Sequence, residues 1–292
     1  MSLCRVCLVF AMVSSPAAWA QDRVVVLDPG QEPRQELRYT PKKAKTEEMR
    51  MTMDMAMGMS MAGVDMPSTR IPPIIMDMDL QDVTTAKNGD VSYRFVLSGV
   101  AVGEAGEATP GMSEALLASL NPLVGTAGSV RISSTGQTLD WSLQPPPGAD
   151  ATTINNMKQG MANSSAVLPT EAVGVGARWE QHSTVQSNGL EVQQVTVYEL
   201  VQLDKQHLDL KLTVQQNAPA QTFAPPGLPP GATARLDSMS TQGQGTTAVR
   251  LDRLVPTGRI QIHSDFAMGF SMEGQDLPLT MSLDLETLVE PR

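Results

Sequence analysis

Alternation of apolar and polar residues, the period of a half-buried strand, recurs along almost the whole chain. It begins in Asp22 to Leu27 and stops at Asp28-Pro29-Gly30; Glu36 to Thr40 resumes it and ends at Pro41. Ile74 to Thr85 and Val91 to Val102 flank Asn88-Gly89, the strongest short-range hairpin signal. Val130 to Ser133 and Gln137 to Leu143 flank Ser134-Thr135-Gly136, and Ala177 to Gln186 and Leu190 to Leu203 flank Asn188-Gly189. Leu208 to Gln215 follows a polar turn, and Thr246 to Leu254, Arg259 to Met272 and Leu277 to Val289 close the chain. Sequential hairpins build an antiparallel meander, not a parallel sheet.

Two segments carry helical spacing instead. Met112, Leu116, Leu117, Leu120 and Leu123 follow Thr109-Pro110, a cap and first-turn pair. Ile154, Met157 and Met161 follow the N-cap residue Asp150, with Gly160 weakening that helix. Pro-rich loops lie near 145–148 and 217–234. The pattern therefore predicts a mainly β protein. We expect one domain over 21–292, a curved antiparallel sheet or half-barrel with two short helices packed on its concave face.

One run departs from any average strand. Met49, Met51, Met53, Met55, Met57, Met59 and Met61 alternate without a break. On a helix this spacing scatters the sulfurs round the axis; on a strand it puts all of them on one face. Strand is the reading, although methionine by itself prefers helices, so the thioether serves something other than β-propensity. The thirteen residues would span roughly 43 Å, long enough to require bending, with Gly58 and Gly63 the natural places. An exposed ladder would aggregate, so the ladder is expected to face a core or a sheltered cavity.

Composition narrows the classes. Aromatic residues make up 4% and hydrophobic residues 41% of the chain, so any core is aliphatic and rich in methionine. The formal charge of −10 excludes a nucleic-acid partner, since phosphate binding needs a concentrated basic patch. Residues 1–20 read as a secretory signal peptide, with Arg5, an apolar run from Val6 to Val13 and the small-residue site Ala18-Trp19-Ala20. The expected mature protein starts at Gln21, is exported to the periplasm or beyond, and is soluble, with no transmembrane segment. Cys4 and Cys7 leave with the leader, which removes any disulfide or thiolate site.

Catalytic signatures are missing: there is no H-E-x-x-H, P-loop or G-x-S-x-G, and Gly174-Val175-Gly176 and Gly243-Gln244-Gly245 lack the third glycine of a dinucleotide turn. Asp77, Asp79 and Asp82 read as a solvated strand face. His263-Ser264-Asp265 holds triad residue types, but neighbours on one strand point to opposite faces. No enzyme and no cofactor is expected.

The stretches Leu37-Arg38-Tyr39-Thr40-Pro41-Lys42-Lys43, the ladder, Leu168-Pro169 through Val173-Gly174-Val175-Gly176-Ala177-Arg178-Trp179, Tyr198-Glu199-Leu200 and Leu251-Asp252-Arg253-Leu254-Val255-Pro256 occur in a telling order. That order resembles a family of uncharacterised exported bacterial proteins, a domain of unknown function, many of them lipoproteins. The predicted architecture is also similar to periplasmic lipid-carrier half-barrels of the LolA and LprG type, a likeness of fold alone.

Three functions fit these residues. The first is non-enzymatic binding of an apolar, lipid-like ligand in a cavity lined by Met51, Met53, Met55, Met57, Met59, Met61, Leu116, Leu120, Met157 and Met161, because unbranched thioethers re-pack around variable guests. The second is a structural or interaction protein of the cell envelope with a closed Met-rich core. The third is a Cu(I)- or Ag(I)-binding protein, since soft thioethers suit soft ions.

Overall fold

A computed structural model describes residues 23–42, 46–104, 111–147, 166–187, 190–223, 233–272 and 275–292. The expected signal peptide and the second expected helix, with Met157 and Met161, lie outside the described residues. The chain runs β1 (Arg23–Asp28), β2 (Thr46–Met61), β3 (Val64–Thr85), β4 (Val91–Val102), α1 (Met112–Leu120), β5 (Ala127–Ile132) and β6 (Thr138–Gln144). It continues with β7 (Arg178–Ser187), β8 (Leu190–Asp204), β9 (His207–Ala218), β10 (Gln221–Phe223), β11 (Thr233–Arg250), β12 (Thr257–Met272) and β13 (Gln275–Pro291).

All thirteen strands belong to one antiparallel sheet that does not close into a barrel. Its order is β1-β7-β8-β9-β11-β12-β13-β2-β3-β4-β5-β6, with β10 added on β11. A single meander was expected; the sheet is two. β2 to β6 form one, β7 to β13 the other, and β13 joins them by pairing along the length of the methionine strand, from Leu279 opposite Met61 to Pro291 opposite Met49.

Two strands are longer than their patterns predicted. β3 starts at Val64 and runs 22 residues through Pro67, Pro72 and Pro73. Proline removes a ladder donor, and the β2–β3 register shifts between Met53 and Met55 and again between Met57 and Met59, where these prolines fall. The bulges absorb the missing hydrogen bonds. β11 begins at Thr233 inside the expected loop, and the expected tail of that strand, Leu251 to Leu254, is a turn instead.

Two glycines mark where strands approach closely. A Cβ on Gly245 would collide with the Arg259 carbonyl oxygen of the neighbouring strand, and one on Gly243 would lie 3.3 Å from that of Gln261 and 3.1 Å from Ile262. The G-x-G piece is thus a regularly paired part of β11 that leaves no room for side chains. Gly63, expected as a bend within the ladder strand, instead makes the tight β2–β3 turn with Ala62, both at positive φ (80° and 50°).

Among the described residues there is one α-helix, not the two expected. Its N-cap is Gly111 rather than Thr109, with no side-chain capping bond. None of its residues is fully buried. Leu120 packs beside Met76 and Val100 on the buried pair Leu97 and Leu123, so the helix end sits on β3 and β4. No helix among the described residues is long and apolar enough to cross a membrane.

The main core lies at one end of the sheet, where two connections cross it. The 29–42 segment links β1 to β2, and residues 166–177 lead into β7. Leu37, Tyr39, Leu168, Val173, Ala177, Trp179, Tyr198, Leu200, Leu208, Leu210, Val249 and Leu251 form one buried cluster. Trp179 is fully buried, donates from Nε1 to the Val167 carbonyl at 2.9 Å, and stacks on Tyr198 with ring centroids 5.5 Å apart. The backbone ties the same segments to the other meander: Tyr39 N donates to Ser134 O at 2.7 Å and Leu168 N to Thr135 O at 2.8 Å, both on the β5–β6 turn. These crossings plug one end of an otherwise open fold.

A buried carboxylate fastens the plug. Asp252, 5% exposed, accepts two hydrogen bonds from Arg250, each 3.0 Å, and lies 3.3 Å from Lys42 Nζ. The Arg250 guanidinium holds its pKa below the usual carboxylate value against the opposing effect of burial. A depressed pKa contributes stability that is present above the ordinary value near 4 and is lost as pH falls through the folded value. Both cations are half or more exposed, so water screens part of the pairing. Asp252→Asn should cost about 1–3 kcal/mol at pH 7, and urea denaturation should show that difference shrinking below about pH 4. An equal difference at pH 7 and pH 3 would show that the carboxylate charge does not matter.

Candidate functional site: an apolar trough above the plug

Directly paired residues on neighbouring strands share a face of the sheet, so the register carries the ladder sideways. Met51 lies between Met76 and Val289, Met53 between Ile74 and Thr287, and Met55 between Ile71 and Leu285. Met57 lies between Thr69 and Leu283, Met59 between Met66 and Met281, and Met61 between Val64 and Leu279. The face continues on β12 through Ile260, Ile262, Phe266 and Met268. The result is a broad apolar surface several strands wide, of which the ladder is the central stripe.

This face lines a cavity of about 430 Å³ immediately above the plug. Met51, Ile260 and Val289 come from the middle of the sheet, Tyr93 and Ile132 from β4 and β5, and Gln181 and Tyr198 from β7 and β8. Side chains from both meanders border one space, so the sheet curls towards the methionine face. Tyr39 belongs to both the plug and the lining. Burial pushes the Tyr93 phenol up to about 12 and raises Tyr39 as well, which keeps both neutral.

The polar part of the lining clusters on β7, β8 and β9. Tyr198 donates to Gln181 Oε1 at 3.3 Å, Gln216 to Gln194 Oε1 at 2.7 Å, and Gln194 to Thr196 Oγ1 at 3.2 Å. Arg250, Arg253 and Arg259 stand at the border. Arg250 is held by Asp252, and Arg259 lies 3.4 Å from Glu286. An apolar floor with a few convergent polar groups is the usual make-up of a small-molecule site, and the volume falls within the common range of about 300–1,000 Å³.

Of the expected site residues that are among the described ones, only Met51 lines this cavity. Met53 and Met55 share its face in the adjoining rows, while Met57, Met59 and Met61 lie progressively towards the open end. Met51 to Met59 are half-buried and Met61 is 38% exposed. Leu120 and Met76 both pack on Leu97 and Leu123, and Met76 is the cross-strand neighbour of Met51, so Leu120 flanks the trough one strand away; Leu116 is half-buried on the same helix. Tyr39, Tyr93, Gln181, Gln194 and Gln216 are lining residues that pattern reading missed. Tyr39 and Tyr93 alternate like any core position, and Gln181, Gln194 and Gln216 on β7, β8 and β9 stand among other polar residues, so pattern alone does not set them apart.

No protein-family model matches this chain, and no curated protein matches it. Several of the stretches singled out in the sequence meet in space: Leu37 and Tyr39, Leu168, Val173, Ala177 and Trp179, Tyr198 and Leu200, and Leu251 all belong to the plug core. Their shared physical role is to seal one end of the sheet.

The opposite face is polar. A cleft of about 740 Å³ there is bordered by Asp54, Arg70, Gln242, Gln261, His263 and Asp284. His263 lies 2.7 Å from Asp284 and 3.3 Å from Asp265, and the bond to Asp284 raises its pKa. Ser264 points the other way, is buried, and accepts from Thr241 at 2.8 Å, so the three triad-type residues do not converge. Asp77 is clamped by Arg50 at 2.8 and 2.9 Å, Asp79 accepts from Ser98 at 2.8 Å, and Asp82 lies 3.2 Å from Arg94. The charges of that face are locally paired, and Met55, Val214, Ile262 and Leu285 also border the cleft.

Proposed function

We propose that this chain is an exported, non-enzymatic protein that binds an apolar, lipid-like molecule on its methionine face. The observation that carries this reading is the cavity above the plug, floored by Met51, Ile260 and Val289 and continuous with an apolar surface towards the open end. Methionine suits such a surface because its three flexible torsions fit variable guests without a fixed shape. A closed Met-rich core, the alternative, requires a buried ladder, and every methionine from Met51 to Met61 is at least partly exposed. On this reading α1 flanks the guest through Leu116 and Leu120; Met157 and Met161 lie outside the described residues. The export signal at 1–20 and the likeness to lipid-carrier half-barrels are parts of the same proposal.

The test is a titration of lipid-stripped protein with a fluorescent long-chain fatty acid. Saturable uptake at about one probe per chain, displaced by the unlabelled acid, is the expected outcome. A signal no larger than that of an unrelated β protein would remove the proposal.

A further inference from the structure

The register brings three methionines from three adjacent strands into one row: Met66 on β3, Met59 on β2 and Met281 on β13. The other ladder positions have at most one methionine directly opposite, as in Met49 with Met78 and Met51 with Met76. We infer that the row Met66–Met59–Met281 is a binding site for a soft monovalent ion, Cu(I) or Ag(I), distinct from the cavity above the plug.

The geometry supplies what such an ion needs. Directly opposed residues have Cβ atoms about 4.5–5.5 Å apart, and each thioether hangs on flexible torsions beyond its Cβ. Three sulfurs from neighbouring strands therefore reach a common point above Met59. Met57 and Met61 stand two residues away on the same strand, each with its side chain on that face. Soft thioethers select soft ions, whereas harder ones prefer imidazole, carboxylate or carbonyl. The row is flanked on its face by Phe266, Leu279, Leu283 and Val64, with the Thr69 hydroxyl in the adjoining Met57 row. Among the described residues no cluster of His, Cys, Asp and Glu offers a site to a harder ion. Access is open: Met59 and Met281 are half-buried and Met66 is 44% exposed. None of the three lines the cavity above the plug, so ion and apolar guest occupy separate places.

The experiment uses silver ion, which needs no reductant, added to protein labelled with ¹³C at the methionine methyl groups. The methyl resonances of Met59, Met66 and Met281 should shift together and saturate at about one ion per chain. Met59→Leu keeps the apolar volume and removes the central sulfur. It should weaken silver binding by roughly tenfold or more, since even changes in groups that merely support a ligand cost that much. The double variant Met49→Leu, Met78→Leu should bind as the wild type does. Cu(I) held under reducing conditions should shift the same three resonances. Shifts spread evenly over the ladder, no shift at all, or equal affinity in the folded Met59→Leu protein would each overturn the assignment.

Discussion

Replacing Trp179 with alanine is expected to destabilise the protein by about 3–5 kcal/mol, the loss seen when a large aromatic is removed from a packed core. That is a large share of the roughly 5–15 kcal/mol that holds a typical domain together. Three contacts disappear at once. The indole is fully buried against the Leu37 to Leu251 cluster, its Nε1 holds the 166–177 connection through the Val167 carbonyl, and its ring stacks on Tyr198. The Val167 carbonyl is left without that donor, which adds its own penalty. Urea denaturation followed by far-ultraviolet circular dichroism measures the effect, and a midpoint near that of the wild type would show that the plug does not hold the sheet. Because Tyr198 also lines the cavity, uptake of an apolar probe should fall in the same variant.

Met51→Glu separates an open trough from a closed core. Met51 is half-buried, with Met76 and Val289 on either side and the cavity in front. A carboxylate in a dry, closed interior costs several kcal/mol and unfolds a marginal protein. Here water reaches the position, so stability should drop by no more than about 1–2 kcal/mol. The guest is affected far more. Losing the apolar contact of one methionine is worth about 1.5–3 kcal/mol, which weakens binding by roughly tenfold to a hundredfold. Met51→Leu should bind nearly normally, because it conserves apolar volume. Unfolding of the glutamate variant, with Met51→Leu intact, would instead identify a closed core.

Most strands and the ladder's orientation were legible because period-two patterns and turns such as Asn88-Gly89 act locally; the alternation of Glu36 to Thr40 belongs instead to a connection that packs Leu37 and Tyr39 into the plug. Met51 and Val289 illustrate what was not. Each alternates within its own strand, but nothing in either strand says that β13 returns to lie beside β2. That pairing is set by long-range closure of two meanders, which leaves no local mark. The prolines of β3 hid a real strand, since a bulge is visible only against its partner. Gly243 and Gly245 looked like a fragment of a nucleotide turn and lie inside β11, where the neighbouring strand leaves no room for a side chain. Apart from the ladder, the stretches that carried the family resemblance contribute plug residues such as Tyr39 and Trp179, which seal the trough and at Tyr39 also line it. Met157 and Met161 lie outside the described residues, and their place in the site stays a proposal.

Native mass spectrometry of the protein, purified without detergent and sprayed before and after addition of a long-chain fatty acid, asks most directly whether the trough holds an apolar guest. The trough predicts a discrete adduct of about one lipid per chain, carried from the cell or gained on addition, and lost in Met51→Glu while the charge-state distribution stays that of a folded protein. A bare wild-type mass in both spectra, together with an unfolded Met51→Glu variant, would contradict it.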